Sequence, residues 1–159
     1  MKILMDADCL IKLTKAGLKE IVVFFCEISI PHEVYTEVVI SGKEKGCDDA
    51  FVVDKNVSGK KIKLLKNKSS FKKGDDALIE LFDKNFYSAV GTDDARLVKR
   101  FHTNGIPFVL PAVITFKMLE AKQIEYQKAL WMLDQLSPFI SSDEYAMVNA
   151  LIRRKEHES

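Results

Sequence analysis

Two short apolar runs in this chain end on carboxylates. Met1-Lys2-Ile3-Leu4-Met5 leads into Asp6-Ala7-Asp8, and Phe86-Tyr87-Ser88-Ala89-Val90 leads through Gly91-Thr92 into Asp93-Asp94. A run of that length suits a buried strand, and an acid directly after it is costly to bury unpartnered. Acids just past strand ends also fall where open parallel sheets bind ligands. The rest of the chain alternates strand-like and helix-like stretches. Strands are expected at 2–6, 28–30, 61–65, 86–90 and 107–110, the 61–65 run being edge-like. Helices are expected from Asp8 to a stop at Gly17, over 18–26, from Pro31 to about Ser41, weakly over 47–55, and over 74–84 and 93–104. Purely helical pattern follows from Pro111, with further helices at 123–136 and 142–156. Alternation of this kind predicts an α/β fold, three layers α/β/α around a mainly parallel sheet, with a helical C-terminal extension over about 111–159.

At 159 residues the chain reads as a single domain, 1–159, large enough to bury a core without staples. Its net charge of +1 gives no global field that would announce a nucleic-acid partner. Charge is uneven, however. Lys55, Lys60, Lys61, Lys63, Lys66, Lys68, Lys72 and Lys73 fall in one stretch without an acid. Such a run is either a solvated face or a phosphate-attracting rim, which Arg96, Lys99 and Arg100 could extend. Cys9, Cys26 and Cys47 show no metal spacing and read as reduced thiols. A zinc site from Cys9, Cys47, His32 and His102 has no paired-ligand spacing behind it. No stretch has the length of a membrane span and no targeting peptide is evident, so the expected location is cytoplasmic.

Candidate site residues follow from helical faces at about 100° per residue. Asp6 is the strongest, because capping explains Asp8 better than it explains Asp6. Glu37, flanked by Val34 and Ile40, leans toward apolar surface, with Glu33 near the same face. In Gly74-Asp75-Asp76, Asp75 shares a face with Leu78, Ile79 and Phe82, whereas Asp76 shares the solvent side with Glu80 and Asp83. Asp94 shares a face with Leu97, Val98 and Phe101, while Asp93 sits at the helix entry. Thr92 can cap, or orient a carboxylate or a water. Converging carboxylates repel unless a cation neutralises them, and oxygen-only ligation points to Mg²⁺ or Mn²⁺. Such an ion acidifies a bound water and offsets charge on a phosphoryl oxygen. Neither a Walker-type nor a dinucleotide-binding glycine motif is present.

These motifs, in this order, resemble the PIN-domain family, whose bacterial and archaeal members include VapC-type toxin ribonucleases. The likeness rests on Met5-Asp6-Ala7-Asp8, Pro31-x-x-Val34-x-x-Glu37, Gly74-Asp75-Asp76-Ala77-Leu78-Ile79, Val90-Gly91-Thr92-Asp93-Asp94-Ala95-Arg96-Leu97 and Gly105-Ile106-Pro107-Phe108-Val109. It implies a metal-dependent ribonuclease whose acids fall on Asp6, Glu37, Asp75 or Asp76, and Asp94, with Asp93 as helper. Asp6, Asp75, Asp93 and Asp94 would then bind metal, with Asp8, Asp76 and Thr92 in support. The family commonly has Ser or Asn where this chain has Asp8, and Thr92 matches its hydroxyl position. The resemblance also implies RNA as substrate, and a homodimer or an antitoxin protein as partner. The helices after 111 exceed a minimal toxin. Two other readings stay open at this point. One is a PIN-like binding or regulatory module without strong catalysis. The other is a haloacid-dehalogenase-like phosphatase using Asp6-x-Asp8, although Leu10 stands where that motif expects Thr or Val.

Overall fold

The first apolar run forms β1 (Lys2–Met5), the central strand of a five-stranded sheet. It pairs with β2 (Glu27–Pro31) on one side and β4 (Ala89–Gly91) on the other. β3 (Ile62–Leu65) and β5 (Phe108–Val109) are the edges, and every pairing is parallel. The computed structural model describes residues 1–66 and 73–157.

Alternation along β1 explains the layering. Ile3 and Met5 enter one apolar core and Leu4 enters another, so the strand is buried on both faces. The first core takes side chains from α1 (Ala7–Lys15), α2 (Lys19–Phe25), α5 (Asp48–Ser58), α8 (Pro111–Glu120), α9 (Tyr126–Leu136) and α10 (Ser142–His157). The second takes Leu78 from α6 (Gly74–Leu81) and Leu97 and Phe101 from α7 (Ala95–Thr103). The α/β/α expectation is therefore met, with a sheet parallel throughout. The C-terminal helices share the first core with β1 through Met118, Met132, Leu133 and Ile152.

Two local expectations fail for physical reasons. The strand expected from Phe86 begins at Ala89, and α6 ends at Leu81 rather than near Lys84. Asp83 organises the intervening turn, accepting Asn85 N–H on its side chain and Tyr87 N–H on its carbonyl. The helix from Pro31 is also irregular. α3 (His32–Tyr35) passes through a π-helical stretch, Thr36–Ile40, into α4 (Ser41–Glu44). The wider turn shifts the helical face, so Val38 and Val39 are both buried while Ile40 and Glu37 are exposed.

The strand order reverses direction at β1. From β1 the chain moves outward to β2 and β3, then returns across β1 to add β4 and β5. Such a reversal leaves a crevice at the carboxyl ends of the two strands that flank it. The residues that leave β1 and β4 there are Asp6 and Thr92-Asp93-Asp94.

Candidate acidic site at the strand ends

Asp6 continues the central ladder, its backbone N–H donating to Gly91 O at 3.0 Å. The chain then turns into α1, for which Asp6 is the N-cap, accepting Cys9 N–H on Oδ1 at 2.7 Å. Capping thus falls to Asp6, not Asp8 as the helix start expected from sequence would have it. Asp6 is only 5% exposed, and the Thr92 hydroxyl donates to its carboxylate. Burial nonetheless dominates and pushes its pKa up to about 7, against the lowering by Thr92 and Cys9 and with repulsion from Asp8 and Asp93. Thr92 is fully buried and also accepts Asp94 N–H at 3.2 Å, so one hydroxyl ties the end of β1 to the start of α7.

The two members of the second doublet separate in the structure. Asp94 is the N-cap of α7, accepting Arg96 N–H at 2.8 Å and Leu97 N–H at 3.1 Å on Oδ1. Asp93 ion-pairs with Lys12 of α1 and lies close enough to raise the Asp6 carboxyl. The helical wheel placed Asp94 inward and Asp93 at the helix entry. Because α7 starts at Ala95, Asp94 takes the capping place and Asp93 turns to the crevice.

Gly74 explains how the third acid approaches. A Cβ there would stand 3.1 Å from Val34 Cγ2, so a side chain would hold α6 away from α3. The same close approach brings Glu37 Oε2 to 3.9 Å from that Cβ position. Glu37 is exposed as a residue, but partial burial of its carboxyl, and after it the charges of Asp8 and Asp75, raise its pKa against the lowering by Lys45. Asp75 is half-buried while Asp76 is exposed and ion-pairs with Arg100 of α7 at 2.8 Å. The inward and outward assignment of that doublet therefore matches the helical face.

The acids form a chain of mutual repulsion, with the exposed Asp8 felt by both Asp6 and Glu37. Among the described residues, no three His, Cys, Asp or Glu side chains are drawn close enough to hold a metal ion as they stand. The donors are all carboxylate oxygens, and two of them bear raised pKa values that a nearby cation would reverse. That chemistry fits a hard divalent ion. It does not fit zinc: Cys9 is buried in the apolar core and Cys47 is exposed at the start of α5.

Two residues at this crevice escaped sequence reasoning. Lys12 lies one helical turn beyond Asp8, and reads in sequence as an ordinary surface lysine. Glu144 of α10 is 6% exposed and accepts Ala112 N–H of α8 at 2.8 Å. Burial raises its pKa against the lowering by that bond, and Asp93 raises it further. Its position reads in sequence as a first-turn acid, and only the packing of α10 carries it to the β5 end. Of the expected basic rim, Arg96 and Lys99 are exposed on α7, whereas Lys68 and Lys72 lie outside the described residues. Among the described residues no helix is long and apolar enough to cross a membrane.

Compared with known families, the chain matches the PIN domain over residues 2–154. No curated protein matches it.

Proposed function

The chain belongs to the PIN-domain family, whose members are in general nucleases, and on that premise we propose that it is a divalent-metal-dependent ribonuclease acting on single-stranded RNA. The observation that carries this reading is Asp6, a buried carboxyl with a pKa of about 7 at the sheet's reversal point, faced by Asp8 and Asp93. A fold keeps an unneutralised acid at such a place at a cost, and a cation-binding role accounts for that cost.

Asp6, Asp75, Asp93 and Asp94 are the residues that would hold Mg²⁺ or Mn²⁺, with Glu37 and Asp8 completing the negative field. Asp94 caps α7 through Oδ1, so the same carboxylate that fixes the helix start would have to reach the ion. When bound, the ion supplies charge neutralisation for phosphodiester hydrolysis and acidifies water. The chain's own residues do the rest. Thr92 fixes the Asp6 carboxylate by donating to it, leaving its acceptor side to Asp94 N–H. Glu37, its pKa raised, is placed to accept a proton from water beside the scissile phosphate. Arg96 and Lys99, exposed on α7, would meet substrate phosphates through a sequence-independent and salt-sensitive contact.

The test is cleavage of a labelled single-stranded RNA with Mn²⁺, beside single-stranded DNA of the same sequence. The reading expects RNA cleavage that EDTA stops and that Asp6→Asn abolishes. Cleavage unchanged in Asp6→Asn would refute it. Preference for DNA would refute the substrate class alone.

A further inference from the structure

The ammonium of Lys12 lies among acids rather than in solvent. It reaches from α1 to the β4–α7 connection and ion-pairs with Asp93, the Lys12 side chain being 29% exposed and that of Asp93 12%. Asp8, one turn earlier on the same helix, and Glu144, from α10, add negative charge around the same ammonium. Three elements therefore contribute to the field at one lysine. Burial by itself disfavours that ammonium, and Asp93, Asp8 and Glu144 outweigh it. Glu144 is itself fixed, its carboxylate held by Ala112 N–H.

The positive charge of Lys12 thus stands beside Asp93, the acid that also raises Asp6. We propose that Lys12 is the resident counter-cation of the acidic crevice: it positions and neutralises Asp93 in the metal-free protein, and it opposes the divalent ion that binds there. This rests on the metal-dependent reading above. Two cations sharing Asp93 repel each other in a partly desolvated site, so each is bound more weakly in the presence of the other. Lys12 is accordingly a positioning residue that acts through Asp93.

The two roles of Lys12 separate in one experiment on the full chain. Mn²⁺ binding is measured by titration calorimetry, and thermal stability is measured in EDTA and in saturating Mn²⁺. Lys12→Met removes the charge and keeps the length of the side chain; Lys12→Gln serves the same purpose should Met not fold. Lys12→Arg keeps the charge. Lys12→Met is expected to bind Mn²⁺ about tenfold more tightly, the effect of removing one partly screened charge next to a divalent ion. Its Tm should fall in EDTA and recover in Mn²⁺, while Lys12→Arg stays near wild type in both. A Tm loss of equal size with and without Mn²⁺, or binding no tighter than wild type, would reduce Lys12 to a structural ion pair and overturn the proposal while the nuclease reading stands. Absence of Asp6-dependent Mn²⁺ binding in the wild type would overturn both.

Discussion

Asp6 and Glu20 are carboxylates on consecutive segments of the same chain, and the fold treats them oppositely. Glu20, in the first turn of α2, ion-pairs with Lys19 at 2.9 Å and Lys61 at 3.0 Å. Those bonds, Lys19 first, hold its carboxyl down at about 2. Lys19 is 3% exposed and is further bound to Asn56 Oδ1 at 2.7 Å and Val52 O at 3.3 Å. This is a structural charge network: each buried ion has its partner. Asp6 is buried among other acids and stands at about 7. Where the chain needs a charge only for folding, it supplies the counter-charge from its own side chains. At the sheet's reversal point the charges acting on Asp6 are those of other acids, and the nearby ammonium of Lys12 is paired with Asp93.

The sharpest way to break this comparison is Asp6→Asn. Asn caps a helix about as well as Asp, so the start of α1 should persist. RNA cleavage should fall by about 10³-fold, roughly 4 kcal/mol of barrier. The metal-free fold should change in the opposite sense. A rise from 3.8 to about 7 corresponds to about 4 kcal/mol of destabilisation of the ionised form, of which a sizeable part should be recovered by the amide at pH 8. Denaturant unfolding in EDTA reads that gain, and loss of stability in Asp6→Asn would show that the Asp6 charge is already compensated.

The pH dependence has a definite sign. Because the folded pKa of Asp6 is raised, its contribution to stability is complete below 3.8 and is lost as pH rises through about 7. In EDTA the Asp6 contribution should therefore lower the wild-type Tm as pH rises from about 4 to about 7, and level off above that. Asp6→Asn should flatten that slope, and Mn²⁺ should reverse it in the wild type by binding the ionised form. A Tm that rises over the same interval in EDTA would contradict the assignment.

Asp94 sets a smaller and more selective test, because it combines capping with a place in the site. Asp94→Asn should keep the cap and lower cleavage, whereas Asp94→Ala should lower cleavage and also cost about 1 kcal/mol of stability. Equal cleavage in Asp94→Asn and wild type would leave Asp94 as a cap alone. The doublets also show what sequence can and cannot reveal. Apolar runs ending on acids foretold β1, β4 and their crevice, since burial forces such runs into strands. The inward face of Asp75 was legible because α6 is a regular helix from Gly74 onward. Glu37 does bring its carboxyl toward Asp75, but the burial of its neighbours was not legible, because a π-helical stretch over Thr36–Ile40 leaves Ile40 exposed and nothing in the sequence marks that turn. Asp93 and Asp94 exchanged places because a wheel depends on the first helical residue, which a single position decides. Lys12 and Glu144 were not legible at all. Their meeting depends on α10 folding back across the β5 end, a contact between residues distant in the chain.

Glu20→Gln is the mildest change and bears on the other half of the comparison. The side chain of Glu20 is 53% exposed, so solvent screens both of its ion pairs. Its low pKa therefore overstates its weight, and the substitution should cost no more than about 1 kcal/mol. The sign is opposite to that of Asp6. A lowered folded pKa gives stability that is present above the ordinary carboxylate value and lost as pH falls through about 2. Glu20→Gln should accordingly weaken the loss of Tm below about pH 4.5 and leave the Asp6-dependent slope between about pH 5 and 7 untouched. Lys19 keeps Asn56 Oδ1 and Val52 O as acceptors in the variant, so the buried ammonium is not stranded. Mn²⁺ binding and RNA cleavage should match wild type, because Glu20 lies at the start of α2 and not at the strand ends. A change in either would mean that the two charge systems are coupled through α1, which carries Asp8 and Lys12 at the crevice and leads directly into α2.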